Sequence, residues 1–219
     1  MIRSVVLLAF IVMWHIGYGQ EIDPDLLLAK EKLDAIASFE ADLNLTVDIS
    51  FVNMPPKSAN MSYQKGKPIV FTSDDFILIP KRGLDFSLSE IFKYPFITVD
   101  RGFEQYSSRS CKLLNIIPTD GKADFSIASL ALDTLTHQVI FSEINTKKDG
   151  AYQMLMTFLD DQQAIPGRVE VSFEIERIRI PLQYMGKEVE VDKSQMKAEG
   201  LKKGRIIMGI DVYDVQLIK

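Results

Sequence analysis

Leu43, Leu45, Val47, Ile49 and Phe51 alternate with Asn44, Thr46, Asp48 and Ser50. A strict period of two predicts a strand with one buried and one wet face. Upstream, Leu26, Ala29, Leu33 and Ile36 recur at helical spacing, which predicts a helix from Asp23-Pro24 to about Phe39. Asp is a good cap, and Pro is tolerated at the first helical position. Pro55-Pro56 ends the strand. Shorter strands are expected at 60–64, 68–72 and 76–79, with turns at Lys65-Gly66 and Ser73-Asp74-Asp75. Segment 84–96 is dense in large apolar residues, and Ser87-Leu88-Ser89-Glu90 reads as a capping box opening a short helix within it.

The second half reads as a meander of hairpins. A strand at 112–117 ends at Pro118, and Asp120-Gly121 turns into another at 125–132. Asp133-Thr134 leads into 137–145, and Lys147-Lys148-Asp149-Gly150 leads into 151–159. Pro166-Gly167 opens 168–176, where Val169, Val171, Phe173 and Ile175 alternate with Glu170, Ser172 and Glu174. A polar, Lys-rich stretch follows, and a last strand is expected at 206–217. One helix, many antiparallel strands and a short helical insertion make an α+β layout with a large curved sheet. One N-terminal helix cannot cover so many strands. The remaining apolar surface must close on itself, be filled by segment 84–96, or accept a ligand.

The start of the chain changes the picture. Met1-Ile2-Arg3 is a short basic start, the stretch from Val5 to Met13 is almost wholly apolar, and Gly17-Tyr18-Gly19 places small residues where signal peptidase needs them. Residues 1–19 therefore read as a signal peptide cleaved after Gly19, with the mature chain exported to the periplasm. The apolar run is too short to span roughly 30 Å of hydrocarbon. Residues 20–219 read as a single domain, with no linker long enough to divide it. Hydrophobic residues make up 47% of the 219 and charged residues 25%, a globular balance. The net charge of −5 and the lack of a long basic run exclude nucleic acid as a partner. Cys111 stands alone and forms no internal disulfide, so the core must hold the domain. Asn44-Leu45-Thr46 and Asn60-Met61-Ser62 match the glycosylation pattern by chance, both falling in expected strands.

Catalytic chemistry is hard to assemble. Trp14 and His15 leave with the leader, so His137 is the sole imidazole of the mature chain. A Ser-His-Asp site would need it, and no Gly-x-Ser-x-Gly elbow is present. Cys111 and His137 could be drawn as a dyad, but a lone Cys in an apolar strand reads as core and His137 as a half-buried strand residue. Metal ligands are too few for zinc, and Asp74-Asp75 and Asp160-Asp161 lack the spacing of a calcium loop. Glu174 and Glu176 share a strand face, yet Arg177 and Arg179 follow at once and suggest a solvated charge ladder. No catalytic residue, metal or cofactor is expected. Tyr152, Met154, Met156 and Phe158 are expected to line one face of a strand, where Met suits a surface that fits variable apolar partners. Segment 84–96 is then a lid, a plug or a docking surface.

The order of elements resembles the LolA type of periplasmic lipoprotein carrier over roughly residues 23–176. The helix leading into the strand at 43–51 carries part of the resemblance. So do Lys67-Pro68 followed by Ile69-Val70-Phe71, Leu114-Asn115-Ile116-Ile117-Pro118, Leu130-Ala131-Leu132-Asp133 and Val139-Ile140-Phe141, with Gly150 and Phe158. The resemblance implies a strongly curved antiparallel sheet, an incomplete barrel, with helices covering an apolar cavity that receives lipoprotein acyl chains. It implies cavity and lid positions at Leu45, Val47, Ile49, Phe71, Leu84, Phe86, Leu88, Ile91, Phe92, Phe96, Tyr152, Met154, Met156 and Phe158. Lys67 stands where the family has Arg before Pro and would be a polar gate, although Lys cannot make the planar bidentate contacts of Arg. The implied partners are acyl chains of lipoproteins or another apolar ligand, with membrane-associated donor and acceptor proteins, and the chain is expected to act as a monomer. The alternatives are a sensor of the same fold that binds without transferring, a secreted interaction module with a packed core, and an enzyme with an unrecognised site.

Overall fold

The computed structural model describes residues 22–73, 88–106, 108–148, 150–175 and 188–218. The leader and cleavage site expected at 1–19, the strand expected at 76–79, Asp74-Asp75, Leu84, Phe86, Ser87, Glu176, Arg177 and Arg179 lie outside these residues. Asp23 caps α1 (Pro24–Asp34), its carboxylate accepting from the Asp25 amide at 3.0 Å. The helix stops at Asp34 and not near Phe39. Ile36 and Phe39 instead enter β1 (Ile36–Ile49), where Ile36 already faces Leu217 of a partner strand. A sheet ladder satisfies amide and carbonyl alike and buries both side chains, which outweighs a helical periodicity carried by so few residues.

In chain order there follow β2 (Val52–Asn53), β3 (Lys57–Gln64), β4 (Val70–Thr72), the one-turn helix α2 (Ser89–Phe92), β5 (Phe96–Tyr106) and β6 (Arg109–Pro118). After them come β7 (Phe125–Asp133), β8 (Gln138–Thr146), β9 (Ala151–Thr157), β10 (Arg168–Ile175), β11 (Glu190–Val191), the short helix α3 (Lys193–Lys197) and β12 (Lys202–Leu217). β5 was not expected from the pattern. Pairing with β6 on both sides of Asp100-Arg101-Gly102 makes it a bulge within a continuing strand. Gly102 takes φ +85°, which an L side chain adopts only at a cost, and its amide donates to Asp100 Oδ1 at 2.7 Å. β12 also begins earlier than 206. Lys203 and Arg205 point outward to Glu174 and Asp48, while Ile206, Met208 and Ile210 are buried in the core.

The strands form one twelve-stranded sheet in the order β11-β2-β1-β12-β10-β9-β8-β7-β6-β5, with β3 pairing β1 and β4. All of its pairings are antiparallel. It does not close into a barrel, because β5 ends the order on one side and β11 on the other. β1 and β12 pair from Ile36↔Leu217 to Ile49↔Gly204, so the first and last long strands meet.

Paired residues of an antiparallel ladder share a face, and one row can be followed across the sheet. It runs Val47, Ile206, Val171, Met154, Ser142, Leu130 and Leu114, ending opposite Asp100 on β5. This inner face carries two apolar clusters. One gathers on β1, β3, β10 and β12, the other on β6, β7 and the start of β8, and Ile144 and Met156 pack against both. A smaller third cluster of Cys111, Ala131 and Ile140 lies on the outer face.

Gly204 tests how tightly the first cluster is filled. A Cβ there would come within 2.5 Å of Phe173 Cζ and 2.7 Å of Ile49 Cγ1. Both side chains are buried, so neither can swing into water. Gly204→Ala is expected to lower unfolding stability by about 1–3 kcal/mol, read from chemical denaturation.

Candidate functional site

The inner face is covered by elements that follow from local sequence. α1 lays Leu26 and Ala29 on the second cluster, and α2 adds Leu88 and Ile91. Over the first cluster lie Ala164 and Ile165 of the β9–β10 connection, with Val189, Val191 and Met196 of the segment around β11 and α3.

These covers are tied to the sheet by polar groups at their margins. Lys112 lies on the inner side of β6, next along the face from Leu114. Its ammonium sits 2.8 Å from Asp23 Oδ2 and 2.8 Å from Asp25 Oδ2 at the start of α1. Burial alone would lower the Lys112 pKa, but the bonds from Asp23 and Asp25 outweigh it and hold the group well above the ordinary lysine value. Near the other end of α1, Lys32 Nζ donates to the carbonyls of Thr136 and Asp161, each at 2.8 Å. Desolvation lowers the Lys32 pKa against the pull of Asp161, Asp160 and Asp133. Lys30 pairs with Asp34 along the helix and places its ammonium 5.2 Å from the Phe92 ring centre, joining α1 to α2.

A second polar group anchors the β9–β10 connection. Arg109 bonds Asp133 Oδ2, Gln138 Oε1 and Asp161 Oδ1, each at 2.9 Å. Gln138 donates in turn to the carbonyls of Asp160 at 3.0 Å and Gln163 at 2.8 Å. Asp133 also accepts from the amides of Leu135 and Thr136. Its burial favours the neutral acid, yet those donors and Arg109 prevail and hold its carboxyl below the usual range. The loop that inserts Ile165 into the core is therefore set by charge at its base.

Leu45, Val47, Ile49, Tyr152, Met154 and Met156 lie together on the inner face, with Phe71 packed beside the first cluster. Leu88, Ile91, Phe92 and Phe96 belong to the second cluster. Phe158 lies elsewhere. β9 ends at Thr157, so the alternation no longer applies, and Phe158 packs with the outer cluster near Phe141. Lys67 is exposed in the β3–β4 turn, its amide donating to Gln64 O at 2.9 Å, and is not on the inner face. Lys112, Arg109, Gln138 and Ser142 were missed. Lys112 and Ser142 lie within β6 and β8, whose polar residues fall on both faces, and Arg109 and Gln138 open those strands. Only strand register tells an inward one from an outward one.

Cys111 and His137, which could be drawn as a dyad, are poorly suited to nucleophilic work. Cys111 is fully buried, and desolvation, with Asp133 nearby, pushes its thiol up to about 11, far from the thiolate a nucleophile needs. His137 is not in a strand. It occupies the β7–β8 turn with φ 55°, its amide donating to Asp133 O at 2.8 Å. Among the described residues no cluster of His, Cys, Asp and Glu could hold a metal, and no helix is long and apolar enough to cross a membrane.

No protein-family model and no curated protein sequence matches the chain. Solved structures similar to it include a LolA superfamily protein from Nitrosomonas europaea, 9% identical with TM-score 0.45, covering 89% of this chain and 94% of that one. A putative outer membrane lipoprotein-sorting protein domain from Vibrio parahaemolyticus is 9% identical with TM-score 0.44, over 88% of this chain and 91% of that one. A DUF1329 family protein from Desulfovibrio piger is 12% identical with TM-score 0.43, over 88% of this chain and 90% of that one. At such identity and superposition, residue roles do not transfer from these structures.

The Arg109–Asp133 anchor has a pH signature. A carboxyl held below its ordinary value of 3.8 adds stability that is present above that value. The contribution is lost as pH falls through the lower folded-state value. Unfolding free energy should therefore drop below pH 3.8, and Asp133→Asn should flatten that drop. At neutral pH the variant should lose about 1–3 kcal/mol, measured by urea denaturation across a pH series.

Proposed function

We propose that this chain is an exported, periplasmic carrier that takes acyl chains of lipoproteins onto its apolar inner face and passes them toward the outer membrane. The observation that carries the reading is the row from Val47 through Val171 and Met154 to Leu130 and Leu114, apolar except at Ser142. Its covers are tied at their margins by Lys112, Lys32 and Arg109. Each buried CH₂ contributes about 0.8 kcal/mol, so one acyl chain can offset the apolar packing that a lifted cover gives up. When a cover lifts, water takes the place of the charged partners at its margins and offsets part of what those bonds give up. A cargo bound in this way leaves readily for an acceptor that buries it better. Met154 and Met156 suit an occupant of variable shape. Leu27 and Leu28 on α1 are 39% and 41% exposed and offer an apolar surface beside the cover to a donor, an acceptor or a membrane.

A second reading, a secreted module with a packed core, is favoured by one observation: Ile144 and Met156 join the two clusters into a continuous apolar layer. The same fold could also bind cargo without releasing it. One experiment separates the three. The purified chain is mixed with a fluorescent dipalmitoylated lipopeptide and passed over a sizing column, and vesicles are then added. A carrier elutes with the lipopeptide and surrenders it to the vesicles. A sensor keeps it, and a packed module never takes it up, which would contradict the proposal.

A further inference from the structure

Ser142 interrupts the apolar row at the middle of the sheet. It lies on β8 between Met154 of β9 and Leu130 of β7, and Val171 and Leu114 are the next residues outward. The residue is 3% exposed, and its hydroxyl has no hydrogen-bond partner among the described residues. Nearby hydroxyls are satisfied: Ser129 donates to Asn115 Oδ1 at 3.0 Å, Ser126 to Asn145 O at 3.1 Å and Thr146 to Gly150 O at 2.8 Å. β8 is flanked on both edges, by β7 and β9, so the carbonyls around Ser142 are engaged in ladders. An unpaired buried hydroxyl is unfavourable and calls for a reason. A structural water is a poor one, because it needs two to four polar partners and the neighbouring inward side chains of the row are apolar.

We propose that Ser142 is a ligand-binding residue whose hydroxyl donates a hydrogen bond to the carbonyl of an acyl ester or amide lying on the inner face. This rests on the carrier reading and deepens it by naming the chemistry that the centre of the face selects. The occupant must be apolar along its length, to match Met154, Leu130, Val171 and Leu114, and must bring one acceptor to the centre. An acyl chain joined to its ester or amide carbonyl meets both conditions. A bare hydrocarbon meets only the first, and a polyhydroxylated or charged group would leave its own polar atoms unpaired. Selectivity then arises because the hydroxyl gains a partner only with a carbonyl-bearing chain. A lipoprotein's acylated end and a free glycerolipid share this chemistry.

The test uses the full mature chain and its Ser142→Ala variant, with displacement of bound 1-aminoanthracene as the readout. The competitors are a dipalmitoylated lipopeptide, 1-oleoylglycerol and 1-octadecene. The variant should bind the two carbonyl-bearing ligands about tenfold more weakly and octadecene unchanged. Its unliganded thermal midpoint should stay the same or rise, because the variant removes an unpaired group. The lipopeptide and the glycerolipid distinguish the source, since a preference for either in the wild type names the cargo. Equal weakening for octadecene and the carbonyl-bearing ligands, no weakening for any, or a lower midpoint would overturn the role of Ser142 and leave the carrier reading standing. A wild-type chain that releases its probe to none of the three would overturn the carrier reading itself.

Discussion

Antiparallel pairing of β1 with β12 is the constraint on which the rest of the molecule depends. These are the longest strands, 14 and 16 residues, and they come from opposite ends of the described chain. Their register sets Leu45 against Met208 and Val47 against Ile206. A slip of one residue would turn every one of those side chains to the wet face. Because β10 pairs the other edge of β12, and β9, β8, β7 and β6 follow in turn, the inward sense of the whole row is inherited from this one ladder. The cost is a loop closure that spans most of the chain, a topology in which local hairpins form well before the sheet is complete.

That inner face explains why the covers are attached as they are. α1 lays Leu26 and Ala29 on the sheet as fully buried side chains and Leu33 as a half-buried one, and polar bonds at both of its ends complete the hold. Lys112 grips the two aspartates at its start, and Lys32 reaches backbone carbonyls near its end. An element held by three apolar side chains and a few charge-assisted bonds separates more easily than one welded by a broad apolar seam, because water replaces the polar partners but not the apolar ones. The β9–β10 connection follows the same plan, with Ile165 inserted and the base fixed by Arg109, Asp133 and Gln138.

Much of the fold was legible where a pattern had one interpretation. The alternation at 43–51 marked the inner face of β1, and the order of strands from β6 to β10 followed the turn signals at Asp120-Gly121, Asp133-Thr134, Lys147-Lys148-Asp149-Gly150 and Pro166-Gly167. Where two interpretations competed, tertiary pairing decided. Ile36 fits a helix or a strand, and β12 made it a strand. The polar features of the candidate site were not legible for a different reason. Lys112 and Ser142 differ from any strand lysine or serine only in the face they occupy, and the extra residue at Ile140 of β8 shifts the parity that would reveal the face of Ser142. Phe158 shows the same limit: one residue past the end of β9, its side chain is free to join the outer cluster.

The proposed carrier role turns on whether the inner face of the sheet meets an acyl chain. Photo-crosslinking with a lipopeptide carrying a diazirine near the end of its palmitoyl chain, followed by peptide mapping, reads this directly. Labelling of Leu130, Met154, Met156 or Val171 is the predicted result. Labelling confined to Phe141, Phe158 or the exposed side of β5, with the inner residues untouched, would contradict it.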